Sequence, residues 1–152
     1  MRRIIEMTAS MGQLIDGKWA SEPPTARQGK NGQFERTASP WRDWIETDSQ
    51  AKFAAESDRY HLYVNVGCPW AYRAVLMRSL KGLTNVISMS ASLPGMGKQG
   101  WTFLGTDGES LDQFSGVANI HEVYTNADAT FTGRATVPVL WDKQHQTIVN
   151  NE

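Results

Sequence analysis

The chain has 152 residues, a net charge of −1 and a pI of about 6.3. That length suits one domain with a proper core, and the near-neutral charge points neither to nucleic acid nor to an anionic membrane. No apolar run reaches the ~18 residues that span a bilayer, and the single cysteine cannot form an internal disulfide; a cytoplasmic location follows by default.

The opening MRRIIEMTAS is charged, without the apolar stretch and small-residue cleavage site of a secretory signal. Residues 1–58 carry little regular pattern, and Gly12, Gly17, Pro23, Pro24, Gly29, Gly32 and Pro40 punctuate them. Trp41, Trp44 and Ile45, spaced i, i+3, i+4, predict a short helical turn on an apolar surface. The region reads as an extended arm over the domain. The tryptophans read chiefly as packing residues, with stacking on a ligand as the other use.

Residues 60–66, YHLYVNV, alternate loosely and are rich in Tyr and Val, which predicts a strand. Cys68-Pro69 follows. Proline suits the first position of a helix because its missing N–H would be unpaired there anyway. No breaker interrupts Trp70 to Leu80; Trp70, Ala74, Met77 and Leu80 recur at helical spacing, and Gly82 stands where a C-terminal glycine belongs. Val86 to Met89 predicts a second strand, completing a βαβ unit. Residues 90–117 hold six glycines and a proline in a loop long enough to suggest a function of its own. Residues 119–128 can form one more helix. Val137 to Trp141 and Thr147 to Val149 read as a hairpin about the turn Asp142-Lys143-Gln144. No later helix exists to cover that hairpin, so the sequence is expected to be a fragment.

Chemistry gathers at Cys68. A thiol reacts as its thiolate, and unpaired amides at a helix start stabilise the anion. The motif is Cys68-Pro69-Trp70-Ala71, so no second thiol stands at the fourth position; a mixed disulfide at Cys68 needs an outside thiol, which favours a small-molecule partner such as glutathione. A lone cysteine is more often a buried structural residue, but strand, Cys-Pro and helix in succession favour a functional one.

Pro138 is the second signal. Proline inside a strand belongs at an edge or bulge, or it marks a cis bond; a cis Val137-Pro138 bond would leave the Val137 backbone open to pair with an extended peptide. Arg134 could grip a carboxylate with its planar fork or stand in solvent. Glu152 could hold an ammonium, although a terminal Glu is usually solvated. His61, His121 and His145 have no ligand spacing to one another, and no metal is expected.

These residues carry a family resemblance. RYHLYVNVGCPWAYRAVLMRSLKGL (59–83) and GRATVPVLWDKQHQTIVNNE (133–152) resemble glutathionyl-hydroquinone reductases, the Xi class of glutathione transferases, and Asp16-Gly17-Lys18-Trp19 with the stretch from Phe34 to Ile45 resembles that family's leader. The resemblance implies an α/β thioredoxin-like fold, the N-terminal domain of a glutathione S-transferase, over residues 59–152, preceded by an arm over 1–58 and carrying the long insertion. It implies a chain truncated before its last helix and lacking the C-terminal helical domain, with poor turnover or none. The implied activity is removal of glutathione from glutathionyl-hydroquinones through a Cys68 mixed disulfide, resolved by a second glutathione. Trp101, Arg134, the Val137 backbone and Glu152 would bind glutathione, and the proton donor would lie in the absent domain. Quinone-derived small molecules would be the partners, and the full-length protein would be a homodimer. Two other readings remain: an omega-like thiol transferase or dehydroascorbate reductase, and a non-catalytic thioredoxin-like binding module.

Overall fold

The computed structural model describes residues 12–22 and 38–152. The opening segment, Pro23, Pro24, Gly29, Gly32 and Phe34 lie outside the described residues.

Strands β1 (Gln13–Ile15) and β2 (Lys18–Ala20) form a small antiparallel hairpin. Its turn is Asp16-Gly17, both at positive φ (48° and 74°), a conformation that glycine and aspartate tolerate best. The hairpin docks through Leu14 N–H to the Gly133 carbonyl at 2.8 Å and the reciprocal bond at 3.0 Å, which buries Leu14 completely.

The main sheet contains β3 (Tyr60–Val64), β4 (Ile87–Ala91), β5 (Val139–Asp142) and β6 (Thr147–Asn150) in the order β4-β3-β5-β6. β3 and β4 are parallel, and the other pairs are antiparallel. A parallel pair needs a crossover, supplied here by helix α1 (Pro69–Leu80). β3 is buried along its whole length, because both faces of the sheet are covered. His61 and Tyr63 lie under the loop that follows β4, where Phe114 stacks on His61 and Phe103 meets Tyr63 edge-on. On the other face Tyr60 packs with Phe53 and Val149.

The long loop is organised by one buried carboxylate. Asp112 accepts hydrogen bonds from Ser90 Oγ at 2.8 Å, Ser115 Oγ at 2.6 Å and the amides of Phe114 and Ser115 at 3.1 Å. Burial acts to raise its pKa, but the bonds from Ser115, Ser90 and the amides outweigh it and hold the group below its ordinary value. Helix α2 (Ile120–Ala127) closes this layer on Ile120, Val123 and Tyr124.

The structure corrects three details. Trp41, Trp44 and Ile45 form no helical turn: Arg42 bridges Asn150 and Asp43 N–H bonds the Val149 carbonyl at 3.0 Å, so β6 holds this backbone extended. Trp41 still packs, against Phe131 and Tyr124, while Trp44 is 78% exposed. Pro138 precedes β5 rather than lying within it; β5 is flanked by β3 and β6, and a residue without an N–H cannot complete a ladder on both sides. In α1 the face turned inward is Ala71, Ala74 and Val75, not the stripe through Trp70 and Leu80, which is exposed at both ends. Small residues let the helix sit close on the sheet.

Candidate functional site

Register gathers four of the residues singled out in the sequence. Tyr63 pairs Val139, so Pro138 lies level with the last residue of β3 and Val137 with the residue after it. Ala91 pairs Val64, and Asn150 pairs Leu140. The ends of β3 and β4, the start of β5 and the end of β6 therefore meet at one edge of the sheet. Cys68, Val137, Pro138 and Glu152 all belong to the segments that emerge there.

Cys68 is the N-cap of α1, in extended conformation, with Pro69 in the first turn. Its carbonyl accepts the first helical bond, from Tyr72 N–H at 2.9 Å, and its side chain makes no cap hydrogen bond. The half-buried thiol is thus left beside the open amides of the first turn. The Val137–Pro138 bond is cis. Val137 is buried and belongs to the core cluster.

Glu152 forms an ion pair with Arg42 of the arm at 3.2 Å, both side chains open to water. Its neighbour Asn151 is buried and donates to Tyr124 Oη at 2.8 Å. That bond fixes the direction in which the chain leaves β6. Trp101 is half-buried against the core; its carbonyl accepts the amide of Ile120 at 2.9 Å, and Leu93 N–H bonds the adjoining Thr102 carbonyl at 2.8 Å. The loop holding Trp101 is therefore tied to the end of β4. Arg134 is exposed and lines a shallow concavity with Gly12, Trp19, Met96, Gly100, Ala135 and Thr136. Cys68 is not part of that concavity. Asn65, part of the stretch Asn65-Val66-Gly67 that departs from the family's usual residues and to which the sequence assigned no role, is buried three residues before the cysteine and makes three side-chain hydrogen bonds. Its signal was an Asn two residues before a Gly, a turn pattern.

A parallel βαβ start, a cysteine capping the first helix and a cis proline at the same sheet edge define a thioredoxin-like α/β domain. The model of the glutathione S-transferase N-terminal domain matches residues 67–152, more than half of the chain, and the chain belongs to that family. It is 45% identical to glutathionyl-hydroquinone reductase YqjG of Escherichia coli, over 93% of this chain and 45% of the relative. It is 44% identical to glutathionyl-hydroquinone reductase PcpF of Sphingobium chlorophenolicum, over 93% of this chain and 44% of the relative. Among solved structures, a Xi-class transferase from Natrialba magadii superposes with a TM-score of 0.78 at 42% identity, covering 94% of this chain and 42% of that one. The glutathione-bound structure of YqjG gives 0.73 at 39% identity, covering 92% and 42%. The thioredoxin-like fold and the Xi-class resemblance read from the residues are thus borne out. The chain spans less than half the length of these relatives.

Proposed function

We propose that this chain is the glutathione-binding part of an enzyme that removes glutathione from glutathionyl-hydroquinones, with Cys68 as nucleophile. The Cys68 thiolate attacks the glutathionyl sulfur. The bond from that sulfur to the ring carbon breaks, its electron pair stays on carbon, and a proton completes the hydroquinone. A second glutathione thiolate then attacks the mixed disulfide, releasing oxidised glutathione and the Cys68 thiolate. Over the cycle the substrate's thioether sulfur and one glutathione thiol are oxidised together to the disulfide, and one ring carbon is reduced. One observation carries the reading: an uncapped thiol at the start of α1, with Ala71 where a resolving thiol would stand.

In this proposal glutathione is the co-substrate and no metal takes part. The Val137 backbone pairs with the peptide, as an added strand would. Glu152 takes the γ-glutamyl ammonium by exchanging it for Arg42, a weak exposed pair. Arg134 and Trp101 complete the glutathione site. Residues 1–58 serve as an arm and 59–152 as the domain. The aromatic pocket and the proton donor belong to a C-terminal helical domain of the full-length protein, a cytoplasmic homodimer.

A broader thiol-transferase reading draws on an omega-like glutathione S-transferase of Schizosaccharomyces pombe, 42% identical over 81% of this chain. One experiment tests the reaction and separates the two. The full-length protein is mixed with a glutathionyl-hydroquinone, or with a simple glutathione mixed disulfide, without free glutathione, and its mass is measured. A glutathione adduct on wild type from the hydroquinone, lost in Cys68→Ser, is the expected result. An adduct from the simple disulfide alone favours the broader reading, and none from either overturns both.

A further inference from the structure

We propose that Asn65 is the positioning residue for Cys68, a single buried amide that fixes where the thiol stands relative to the sheet and the helix start. This rests on the reading of Cys68 as the reacting group. Asn65 is 2% exposed. Its Oδ1 accepts the Gly67 amide at 2.9 Å, and its backbone carbonyl accepts the Cys68 amide at 3.1 Å. The two bonds make nested turns that wind the chain from β3 into α1. Its Nδ2 donates to Ser92 Oγ and to the Leu93 carbonyl, both at 2.9 Å. Those partners continue β4, so the turn bearing the cysteine is pinned to the neighbouring strand. Leu93 also leads, through its amide, to the segment holding Trp101.

The site needs an acceptor towards Gly67 and donors towards Ser92 and Leu93 from one short side chain. Only an amide offers both. Asp lacks the donors, Leu has neither, and each would leave buried polar groups without partners. Gly67 belongs to the same device. It is exposed, yet a Cβ built on it would meet only Asn65 Oδ1, at 3.2 Å, tight enough that the amide must give way. Gly67→Ala therefore presses on the clamp from the solvent side without entering the core.

The test follows alkylation of Cys68 by iodoacetamide against pH, in the full chain, folded and in urea, with thermal melting recorded for each variant. In wild type the folded thiol is expected to react faster near neutral pH than the unfolded one. Asn65→Ala and Gly67→Ala are expected to lose that advantage, slowing roughly tenfold near neutral pH as the helix start releases the anion, and to approach the wild-type rate in strong alkali. Ser92→Ala removes one partner of Nδ2 but leaves the turn; it is expected to melt earlier with an unchanged pH profile. If Asn65→Ala does not fold, Gly67→Ala carries the test. Folded Asn65→Ala or Gly67→Ala with the wild-type profile would overturn the positioning role and leave Cys68 standing. A folded wild-type thiol no faster than the unfolded one would overturn both.

Discussion

His61 shows what a single buried residue implies for the behaviour of the protein. Its ring sits between Ser88 Oγ at 2.7 Å and Ser90 Oγ at 3.0 Å, beneath Phe114. Burial pushes its pKa down from 6.5 to about 4, although the Asp112 charge acts in the opposite direction. The folded state thus keeps this imidazole neutral where the unfolded chain would protonate it. The sign follows: as pH falls from about 6.5 to about 4, the unfolded state gains the proton first and stability declines. Urea midpoints measured across that window are expected to fall with pH. In His61→Gln, which keeps an amide between the two serines, the curve is expected to flatten over the same range, at a cost near neutral pH of about 1 kcal/mol. An undiminished slope in the variant would assign the acid sensitivity elsewhere.

At the scale of elements, the strands are joined by charge at the sheet edge opposite the cysteine. Arg59, at the entry to β3, donates through Nε and Nη2 to both oxygens of Asp142, the last residue of β5, at 3.0 and 2.7 Å. Its Nη1 and Nη2 also donate to Glu56 and to the Lys52 carbonyl, and His145 Nδ1 lies 2.7 Å from Asp142. The bond to Asp142 outweighs burial and raises the arginine's pKa. For Asp142 burial acts upward, but the bonds from Arg59, His145 and the Gln144 amide prevail and lower it to about 2. Its contribution is therefore full above the ordinary carboxylate value of 3.8 and is lost as pH drops through about 2. Arg59→Met leaves a buried carboxylate without its arginine and is expected to cost about 3–5 kcal/mol in urea unfolding. Adding Asp142→Leu is expected to restore much of that loss, because removing both charges also removes the penalty of burying them.

At the scale of the molecule, α1 places its small residues against the sheet and its large ones in water. Trp70, Tyr72, Leu76, Met77 and Leu80 are all exposed, Leu80 to 78%. Burial, rather than residue type, sets the cost of substitution here. Leu80→Glu and Met77→Lys are expected to change the unfolding free energy of this chain by no more than about 0.5 kcal/mol. In contrast, Ala71→Leu would drive three heavy atoms into a close helix–sheet contact and is expected to cost about 1–3 kcal/mol. Thermal melts of the three variants check both statements.

The sequence by itself determined the strand, helix and strand around Cys68, the last hairpin and the family. These are local signals: alternation, Pro69 in the first turn, Gly82 at φ 67° just past the helix end, and a motif read along one stretch of chain. It also placed the cysteine at the helix start, because that position depends only on its neighbours. The Asp16-Gly17 turn was equally local, but the three-residue strands beside it were too short to show alternation. Only the tertiary structure decided the rest. The extended path of residues 41–45 comes from β6, about a hundred residues away in sequence, and the inward face of α1 from how closely the sheet approaches. The role of Asn65 depends on Ser92 and Leu93, which the parallel register of β3 and β4 brings beside it. A clamp of this kind is invisible along the chain, since its partners are neighbours only after the strands have paired.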